Sequence, residues 1–419
     1  MFKSFLKITT YFFWTFRLLY YYFLRAISFC IPKSRGLWLF GSWGGKRFSS
    51  STKYLYLYIQ QNCPNIRAIW ITKNKNVFKY LTNISLPVCY AWSIKGIFLS
   101  LRAEVTLISN EIYDINPGFT DASLMIQLFH HVLPLKYMMR GEGKTNTEVF
   151  RSYSVFKKLR ILLKYPFTLR KPDYFVSSSD WMAKEVTEPK LWANPKNILI
   201  TGFPRTDAIL KEREPQEFVL LQENLFYKSK IHKTPQIIYY LPTHRDHDVD
   251  FNPFHYNFNI NKLNRFLEIS NSIFVVRFHP RDSQRLSKTF TFNSHRIIKE
   301  PEGFQDPYFI LRYTSLLITD YGSIFSDFLL LNKPIIFACF DYEKYENIRT
   351  FNWDFNKFTP GHKVKCWDQI IDTMSDILIH NNDKFKLERE ILKNKIYAYQ
   401  DTNNSERLVN KINIILSSK

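Results

Sequence analysis

Short apolar runs alternate with helical stretches along most of this 419-residue chain, starting at Leu37. Short runs that are apolar throughout are typical of strands buried on both faces of a parallel sheet. The alternation therefore predicts an α/β fold with helices on both faces of the sheet. One predicted helix is Thr52–Gln61, and the predicted strands are Leu37–Phe40, Ala68–Thr72, Val105–Ser109, Leu124–Phe129, Tyr174–Ser178, Ile198–Thr201, Gln236–Leu241, Ser272–Phe278, Arg296–Lys299, Leu316–Thr319 and Pro334–Phe340.

These strands form two sets, separated by the charged segment Lys211–Lys233, which we interpret as a linker or an interdomain helix. Two successive α/β units predict two Rossmann-like domains that face a cleft. The predicted divisions are an N-terminal segment 1–33, the two Rossmann-like domains 34–210 and 211–390, and a C-terminal helix within 391–419 that packs across the domains.

Composition excludes several common classes of protein. Hydrophobic residues make up 45% of the chain and aromatic residues 17%, which indicates packed globular cores rather than disorder. With only 12 Gly, neither a GxGxxG nor a GxxxxGK[ST] motif is present, so a dinucleotide fingerprint and a P-loop are excluded. The five Cys lack paired spacing, which argues against a disulfide framework or a zinc cluster and favours a reducing cytoplasm.

Positive charge is concentrated at the N-terminal end. The net charge is +21, and residues 1–103 contain 15 Lys and Arg without any Asp or Glu. Such a surface suits nucleic acid, anionic lipid or a polyanionic substrate, and charge alone does not choose among them. No RRM, KH or helix-turn-helix signature accompanies the charge, so we do not predict a nucleic-acid partner.

Aromatic and aliphatic residues fill Met1–Pro32, interrupted by Lys3, Lys7, Arg17 and Arg25. No uninterrupted apolar span reaches the length needed to cross a bilayer, and a signal-peptide cleavage site is not evident. We predict a helix lying in the membrane interface, with its aromatic side chains at the headgroup boundary. The alternatives are a buried first helix whose cations snorkel to water, and a signal anchor.

A second basic amphipathic stretch is Val155–Lys171, in which Lys and Arg alternate with Leu and Ile. It predicts either a second membrane contact or the solvated face of an ordinary helix.

The segment Leu316–Asp341 has the pattern strand, turn, helix, strand. Gly322 and Ser323 fall where the helix should start, at the carboxyl edge of the sheet, where free backbone N–H groups can hold a phosphate. The alternative is that Asp320 or Ser323 only caps the helix.

Polar clusters end several predicted strands, at the edge where open α/β sheets bind their ligands. Each cluster alone is weak evidence, because a His at a strand end is more often structural than catalytic. Their shared position is the stronger argument for one site. The clusters are His130–His131, Pro242–Arg245, Arg277–Pro280 and Thr319–Ser323.

Taken in order, these motifs resemble the CDP-glycerol glycerophosphotransferases that build teichoic acids and capsular polymers. The matching elements are Phe40-Gly41-Ser42, Gly202–Asp207, Pro242–Arg245, Arg277–Pro280, and Thr319–Ser323 followed by Asp327 and Phe328. The resemblance implies a GT-B fold, peripheral association with the cytoplasmic face of the cell membrane, and transfer of a glycerol or ribitol phosphate from a CDP-activated donor to a polymer hydroxyl, with release of CMP. A GT-B glycosyltransferase that uses a nucleotide sugar is the alternative.

Two departures from the family pattern concern the predicted site. The family's Trp-His-Gly-Thr-Pro-Leu-Lys element corresponds to Phe129–Lys136, where ungapped counting places the family's His at His131, and one inserted residue would place it at His130. The family's first Ser of the Ser-Ser pair is replaced by Gly322.

Attack of a hydroxyl on the donor's β-phosphorus needs a base, and cations or N–H groups around the phosphoryl oxygens. We predict His131 as the base, with His130 as its rival, and His279 and Arg245 as the groups that neutralise the diphosphate. Ser323 and the helix N-terminus would hold the diphosphate, and Asp320 would orient the turn or the donor's hydroxyls. The other predicted donor-binding residues are Thr243, Arg277, Thr319, Gly322 and Asp327. No metal ligand is predicted, and dependence on Mg²⁺ is left undecided.

Overall fold

The computed structural model describes residues 2–129, 132–135, 153–188, 193–211, 222–226, 234–245, 248, 250–279, 281–290, 294–301, 306–349 and 351–418. Two compact units make up the chain. The first comprises Met1–His130, Lys144–Asp207 and Asn403–Lys419, and the second comprises His131–Gly143 and Ala208–Thr402. The domain boundaries predicted from the sequence stay predictions, and most of the predicted linker Lys211–Lys233 lies outside the described residues.

A seven-stranded parallel sheet forms the first unit, in the order β3-β2-β1-β4-β5-β6-β7. Neighbouring strands are parallel throughout, as in the pairing of Trp38 with Ala68 on one side and Val105 on the other. The strands are β1 Leu37–Phe40, β2 Arg67–Thr72, β3 Val88–Tyr90, β4 Val105–Ile108, β5 Leu124–Gln127, β6 Tyr174–Ser177 and β7 Ile198–Ile200.

A six-stranded parallel sheet forms the second unit, in the order β10-β9-β8-β11-β12-β13. Because all strands point the same way, the residues after β8, β9, β11 and β12 emerge at one edge. The strands are β8 Gln236–Leu241, β9 Ser272–Val276, β10 Ile297–Lys299, β11 Thr314–Thr319, β12 Ile335–Ala338 and β13 His362–Val364. Both sheets confirm the prediction of two parallel-sheet, Rossmann-like α/β domains.

Helices connect the strands within each unit. Their bounds are α1 Phe2–Cys30, α2 Ser50–Asn62, α3 Lys75–Asn83, α4 Ile94–Arg102, α5 Val155–Lys164, α6 Asp180–Met182, α7 Pro204–Leu210, α8 Ile260–Ile269, α9 Ser283–Thr289, α10 Tyr308–Leu311, α11 Ile324–Phe328, α12 Tyr342–Arg349, α13 Phe355–Phe358, α14 Trp367–Leu378, α15 Lys386–Ile396 and α16 Asn404–Ser417.

Each sheet is buried by its own helices. In the second unit, Phe274 and Ile318 from the strands pack with Leu263 of α8 and Trp367 of α14. The Trp367 indole N–H donates to the carbonyl of Pro253 at 2.7 Å, so that this buried ring keeps a hydrogen bond. Each fully buried aliphatic or aromatic side chain contributes about 1.5–3 kcal/mol, which makes these strands a rigid support for the loops that follow them.

Three local features differ from the sequence predictions. Strands β3 and β13 were not predicted, because three residues are too few to show a period. Strand β5 ends at Gln127 rather than Phe129, whose φ of 48° is incompatible with an extended strand. The helix in the basic stretch ends at Lys164, because Pro166 opens a 3₁₀ turn over Pro166–Leu169.

Helix α1 packs one face against the first unit. Tyr21 is fully buried and donates to Asp121 at 2.8 Å, while Ser28 donates to the carbonyl of Phe119. Burial raises the pKa of Tyr21 to about 12, and its hydrogen bond to Asp121 adds to the effect. Within the part of the chain that the structure describes, no helix has the length and apolar character to cross a membrane.

Candidate functional site

Arg245, which follows β8, is the centre of a buried ion-pair network at the carboxyl edge of the second sheet. Its Nε and Nη2 donate to the two carboxylate oxygens of Asp341 at 2.7 and 2.9 Å, and its Nη1 lies 2.9 Å from Asp320. The side chain is 1% exposed. Burial acts to lower the pKa of Arg245, but the carboxylates of Asp320 and Asp341 outweigh burial and raise it. The guanidinium therefore joins the loops after β8, β11 and β12.

Asp320 ties the turn after β11 to the loop after β8. Its carboxylate accepts the backbone N–H of Thr243 at 3.0 Å and the backbone N–H of Tyr321. Tyr321 in turn donates through its hydroxyl to Asp341 at 3.1 Å and stacks on Tyr345 at 4.0 Å between ring centroids. Asp320 thus holds the turn after β11 against the loop after β8.

Gly322 and Ser323 follow this turn and lead into α11. A Cβ at position 322 would lie 2.9 Å from Thr243 Oγ1, closer than real Cβ contacts allow without movement. Gly322 therefore lets the turn approach the Thr243 hydroxyl, which gives a physical reason for the departure from the family's Ser. Ser323 occupies the N-cap position of α11 without a capping hydrogen bond from its side chain, so the capping alternative is wrong for Ser323.

Helix α11 is shorter than the sequence suggests. It spans only Ile324–Phe328, and a 3₁₀ turn over Leu329–Leu331 follows it. Such a short helix carries a small dipole, so binding at this turn depends on individual N–H and hydroxyl groups more than on the helix as a whole.

Arg277, which follows β9, is held in a second buried network. Its Nη1 pairs with Glu300, which follows β10, and Glu300 also accepts the hydroxyl of Tyr239. Burial raises the pKa of Glu300 to about 7, with Arg277 acting in the opposite direction. Burial acts to lower the pKa of Arg277, but Glu300 raises it overall. This pair braces the loops after β9 and β10.

Two imidazoles lie side by side at the same edge of the sheet. The ring centroids of His244 and His279 are 5.3 Å apart, with planes 22° from parallel. Asp282 Oδ2 lies 2.7 Å from His244 Nδ1, and the backbone N–H of Arg281 donates to His279 Nδ1 at 3.3 Å. Among the described residues, one ligand atom from each of His244, His279 and Asp282 lies within 4.8 Å of the others, which is a group able to hold a metal ion.

Thr319 and Asp327 are buried and partnered within the second unit. Thr319 donates to the carbonyl of Leu241 at 2.9 Å, linking β11 to β8. Asp327 accepts the hydroxyls of Tyr308 at 2.9 Å and Tyr397 at 3.3 Å. Both side chains therefore support the edge of the sheet from the interior of the unit.

The predicted bases, His130 and His131, lie outside the described residues, but the residue before them is described. The carbonyl of Phe129 accepts Nη1 of Arg205 at 3.0 Å, and the same nitrogen donates to Ser51 Oγ at 3.0 Å. Arg205 is fully buried. The Gly202–Asp207 motif therefore contributes the group that holds the backbone just ahead of the histidines.

The same motif also fixes the last helix. Gly202 has φ of 74°, and Asn404 Oδ1 lies only 2.1 Å from where a Cβ would stand, so only glycine fits there. Asp207 accepts the backbone N–H groups of Asn404 and Ser405 and the Ser405 hydroxyl, at 2.7 to 3.0 Å. The motif thus caps α16 while Arg205 holds Phe129.

Residues after the histidines are held within the second unit. Asn352 donates its backbone N–H to the carbonyl of Leu135 at 2.7 Å and its side-chain amide to the carbonyl of Pro134 at 2.7 Å. Trp353 donates its indole N–H to the same Pro134 carbonyl at 3.2 Å. The Pro-Leu part of the motif therefore has fixed backbone positions.

Sequence reasoning missed three acidic partners: Asp282, Glu300 and Asp341. Asp341 and Glu300 directly follow predicted strands, so the search for polar residues at strand ends, which selected the other clusters, would have found them. Asp282 gave no comparable pattern. The segment after β8 is, however, unusually rich in His and Asp, with His244, Asp246, His247, Asp248 and Asp250 in seven positions.

Each unit is a parallel-sheet α/β domain, and the second carries ion-paired, histidine-bearing loops at the carboxyl edge of its sheet, where such sheets bind their ligands. Residues 23–414 match the family CDP-Glycerol:Poly(glycerophosphate) glycerophosphotransferase, and the chain belongs to that family. The predictions of family and of a CDP-glycerol glycerophosphotransferase-like enzyme are thereby confirmed.

Named relatives agree with this assignment. The chain is 26% identical to a teichoic acid poly(glycerol phosphate) polymerase of Bacillus spizizenii, over 86% of this chain and 87% of that protein. It is 25% identical to a teichoic acid glycerol-phosphate transferase of Staphylococcus aureus, over 90% and 93%. It is 24% identical to the Bacillus subtilis poly(glycerol phosphate) polymerase, of which it spans about half (49%).

Solved structures confirm the fold. The wall teichoic acid polymerase TagF aligns with a TM-score of 0.72 and 19% identity, over 98% of both chains. A Staphylococcus aureus MnaA structure with UDP aligns with a TM-score of 0.53 and 14% identity, over 91% of this chain and 96% of that one.

Proposed function

We propose that this protein moves a polyol phosphate, glycerol or ribitol phosphate, from a CDP-activated donor to a hydroxyl of a growing teichoic-acid-like or capsular polymer, releasing CMP. The observation that carries the proposal is the family match over 23–414 together with the residues at the carboxyl edge of the second sheet. Relatives that act on glycerol phosphate and on ribitol phosphate are both similar to the chain, so either polyol fits.

The donor diphosphate would bind at the turn after β11. The hydroxyl of Ser323 makes no capping hydrogen bond to α11, and Gly322 keeps the turn close to the Thr243 hydroxyl. His279 lies on the neighbouring loop, where an imidazole N–H or imidazolium can neutralise a phosphoryl oxygen.

Arg245 and Arg277 have a different role in this proposal from the one the sequence suggested. Each is ion-paired within the protein, Arg245 to Asp341 and Asp320, and Arg277 to Glu300. Their charges are balanced by buried carboxylates, so they position the loops that contact the donor rather than neutralise the diphosphate. Removing one partner of such a pair leaves an uncompensated buried charge.

The acceptor hydroxyl must lose a proton as it attacks phosphorus, and His131 remains our proposed base, with His130 as the alternative. A positioned imidazole suits this role because its ordinary pKa lies near neutrality. Arg205, by holding the carbonyl of Phe129, fixes the chain immediately before either histidine.

Peripheral membrane association is proposed from α1 and α5. Opposite its packed face, α1 exposes Phe16, Leu19 and Phe23 at more than 60% each. Helix α5 has no buried residue, exposes Phe156, and contacts α1. Arg160 of α5 lies over the ring of Trp14 at 5.6 Å, which joins the two helices. Aromatic residues flanked by Lys and Arg are the composition of helices that lie in an anionic membrane interface.

The reaction is tested by following CMP release from CDP-glycerol and CDP-ribitol with a suitable polymer primer. We expect CMP from at least one of them. Absence of release from every CDP-polyol, with turnover of a UDP-sugar or CMP-sugar instead, would establish the nucleotide-sugar alternative.

Membrane association is tested by replacing Phe16 and Phe23 with Ser, which spares the packed face of α1. The matched control replaces Leu387 and Ile391, exposed residues of α15, with Ser. We expect the α1 variant alone to lose sedimentation with phosphatidylglycerol vesicles while it keeps CMP release from a soluble primer. Equal sedimentation of both variants and the original protein would refute the membrane role.

A further inference from the structure

His244, His279 and Asp282 form a compact group of possible metal ligands, of which the proposed reaction uses only His279. His244 follows β8, His279 follows β9, and Asp282 immediately precedes α9. All three are buried or half-buried, and their ligand atoms lie within 4.8 Å of one another. We propose that these three side chains bind a zinc-type divalent cation.

The distances fit one ion after a modest movement of the side chains. Zinc binds imidazole nitrogen and carboxylate oxygen at about 2.0–2.2 Å in a tetrahedral arrangement, so two ligand atoms on one ion are about 3.4 Å apart. The ligand atoms lie within 4.8 Å of one another, so the set needs to close by roughly 1.4 Å or less for an ion to reach all three.

Asp282 and His244 already bring two ligand atoms together. Asp282 Oδ2 lies 2.7 Å from His244 Nδ1, and an ion bound between these two atoms replaces the proton that they share. Arg285 Nη2 lies 3.4 Å from the other oxygen of Asp282 and helps to hold the carboxylate in place. The backbone N–H of Arg281 donates a long hydrogen bond of 3.3 Å to His279 Nδ1. This bond is replaced by the bond to the ion when the ring takes the tautomer that the ion requires.

The ligand chemistry selects the class of ion. Two imidazoles and one carboxylate favour Zn²⁺, Co²⁺ or Ni²⁺, whereas Mg²⁺ prefers oxygen ligands. Three protein ligands leave a fourth position open to water or to a phosphoryl oxygen. A role for this ion at the donor diphosphate rests on the proposed function, but binding of the ion does not.

Metal binding is measured on the full chain, without tag, donor or primer. Co²⁺ titration should give the visible d–d bands of a low-coordinate site, and Zn²⁺ should displace it at one ion per chain. His244→Ala, His279→Ala and Asp282→Asn should each weaken binding at least 10-fold, in line with the cost of removing a metal-site residue. His255→Ala, which removes an exposed histidine of the same unit outside the cluster, should bind as the original protein does.

Circular dichroism and thermal unfolding distinguish loss of the site from loss of the fold. Asp282→Asn keeps the volume of the side chain, so a folded Asp282→Asn protein is the decisive variant. Absence of Co²⁺ and Zn²⁺ binding by the original protein, or binding unchanged in folded Asp282→Asn and His244→Ala, would overturn the proposal. Metal binding without turnover of any CDP-polyol would leave the site standing and refute the proposed reaction instead.

Discussion

Arg205 donates a hydrogen bond to the backbone carbonyl of Phe129, 76 residues earlier in the chain. Phe129 has a left-handed backbone, with φ of 48°, and immediately precedes the two candidate base histidines. A buried guanidinium from one motif therefore holds the backbone that leads into another.

Replacement of Arg205 by Lys should lower kcat for CMP release by more than 10-fold with a smaller change in the KM for the donor. The shorter cation cannot donate to Phe129 and Ser51 with the same geometry, and a buried carbonyl without its partner costs about 1–3 kcal/mol. Steady-state kinetics and thermal unfolding check the two effects. Arg67→Lys, an exposed arginine on β2, is the control and should change neither quantity.

His131→Ala should lower kcat by roughly 10²- to 10⁴-fold, the usual contribution of a positioned general base. Donor binding, measured by calorimetry with CDP-glycerol, should change little. If His130→Ala produces this loss and His131→Ala does not, the inserted-residue alignment is correct and His130 is the base.

Arg245→Lys should destabilise the protein by about 3 kcal/mol, because it leaves Asp341 without its bidentate partner in a buried site. Asp341→Asn should cost a similar amount, and the double variant should cost less than the sum of the two. Urea unfolding of the three variants measures this coupling. A raised KM for the donor without any loss of stability would show that Arg245 contacts the diphosphate after all.

Gly322→Ala should raise the KM for the CDP-polyol several-fold, because its Cβ meets Thr243 Oγ1 at 2.9 Å and must displace it. The Thr243→Ala change removes that oxygen, so the double variant should regain the original spacing of the turn. Kinetics of the single and double variants decide the matter. An unchanged KM in Gly322→Ala would mean that Thr243 rotates away without consequence for the donor.

Glu300→Gln should make stability less dependent on pH. Burial raises the pKa of Glu300 to about 7 from an ordinary 4.5. Because the folded pKa is the higher one, the stability contributed by the protonated carboxyl is complete below pH 4.5 and is lost as the pH rises through 7. Gln stays neutral and leaves Arg277 unpaired at every pH, which lowers the stability of the variant by an amount that does not change with pH. The variant should, however, not show the fall in stability of up to roughly 3 kcal/mol that the original protein shows over that range.

Thermal unfolding across this pH range measures the difference. Glu268→Gln, an exposed residue of α8, is the control and should follow the original protein at every pH. Parallel curves for Glu300→Gln and the original protein would show that Glu300 keeps the same charge throughout.

The sequence predicted the fold well where burial alone decides structure. Leu37–Phe40 is an apolar run buried throughout, and in Gln236–Leu241 the four central residues are buried. The limits of both strands match the prediction. Strand β3 was missed because its three residues are supported by pairing with β2, which is a tertiary effect without a local pattern. The early end of β5 likewise depends on the backbone of Phe129, which Arg205 holds from a distance.

The position of the candidate site could be predicted from the sequence, but the role of each of its residues could not. The strand-end rule placed Thr243, Arg245, His279 and Asp320 at one edge, and the structure brings their loops together. It could not show that Arg245 is balanced by Asp341, 96 residues further along the chain. Charge in a sequence indicates what a side chain can bind, whereas burial and partners decide what remains for a ligand.

The cap that Asp207 provides to α16 joins residues 198 positions apart, and it sets an order of events during synthesis. The first unit needs Asn403–Lys419, yet the whole sheet of the second unit is translated before those residues. On the ribosome, the second unit can therefore fold while the first still lacks α16. Gly202 and Asp207 gain their contacts with Asn404 and Ser405 only after that helix has been synthesised. Residues translated after the second unit thus complete the first unit.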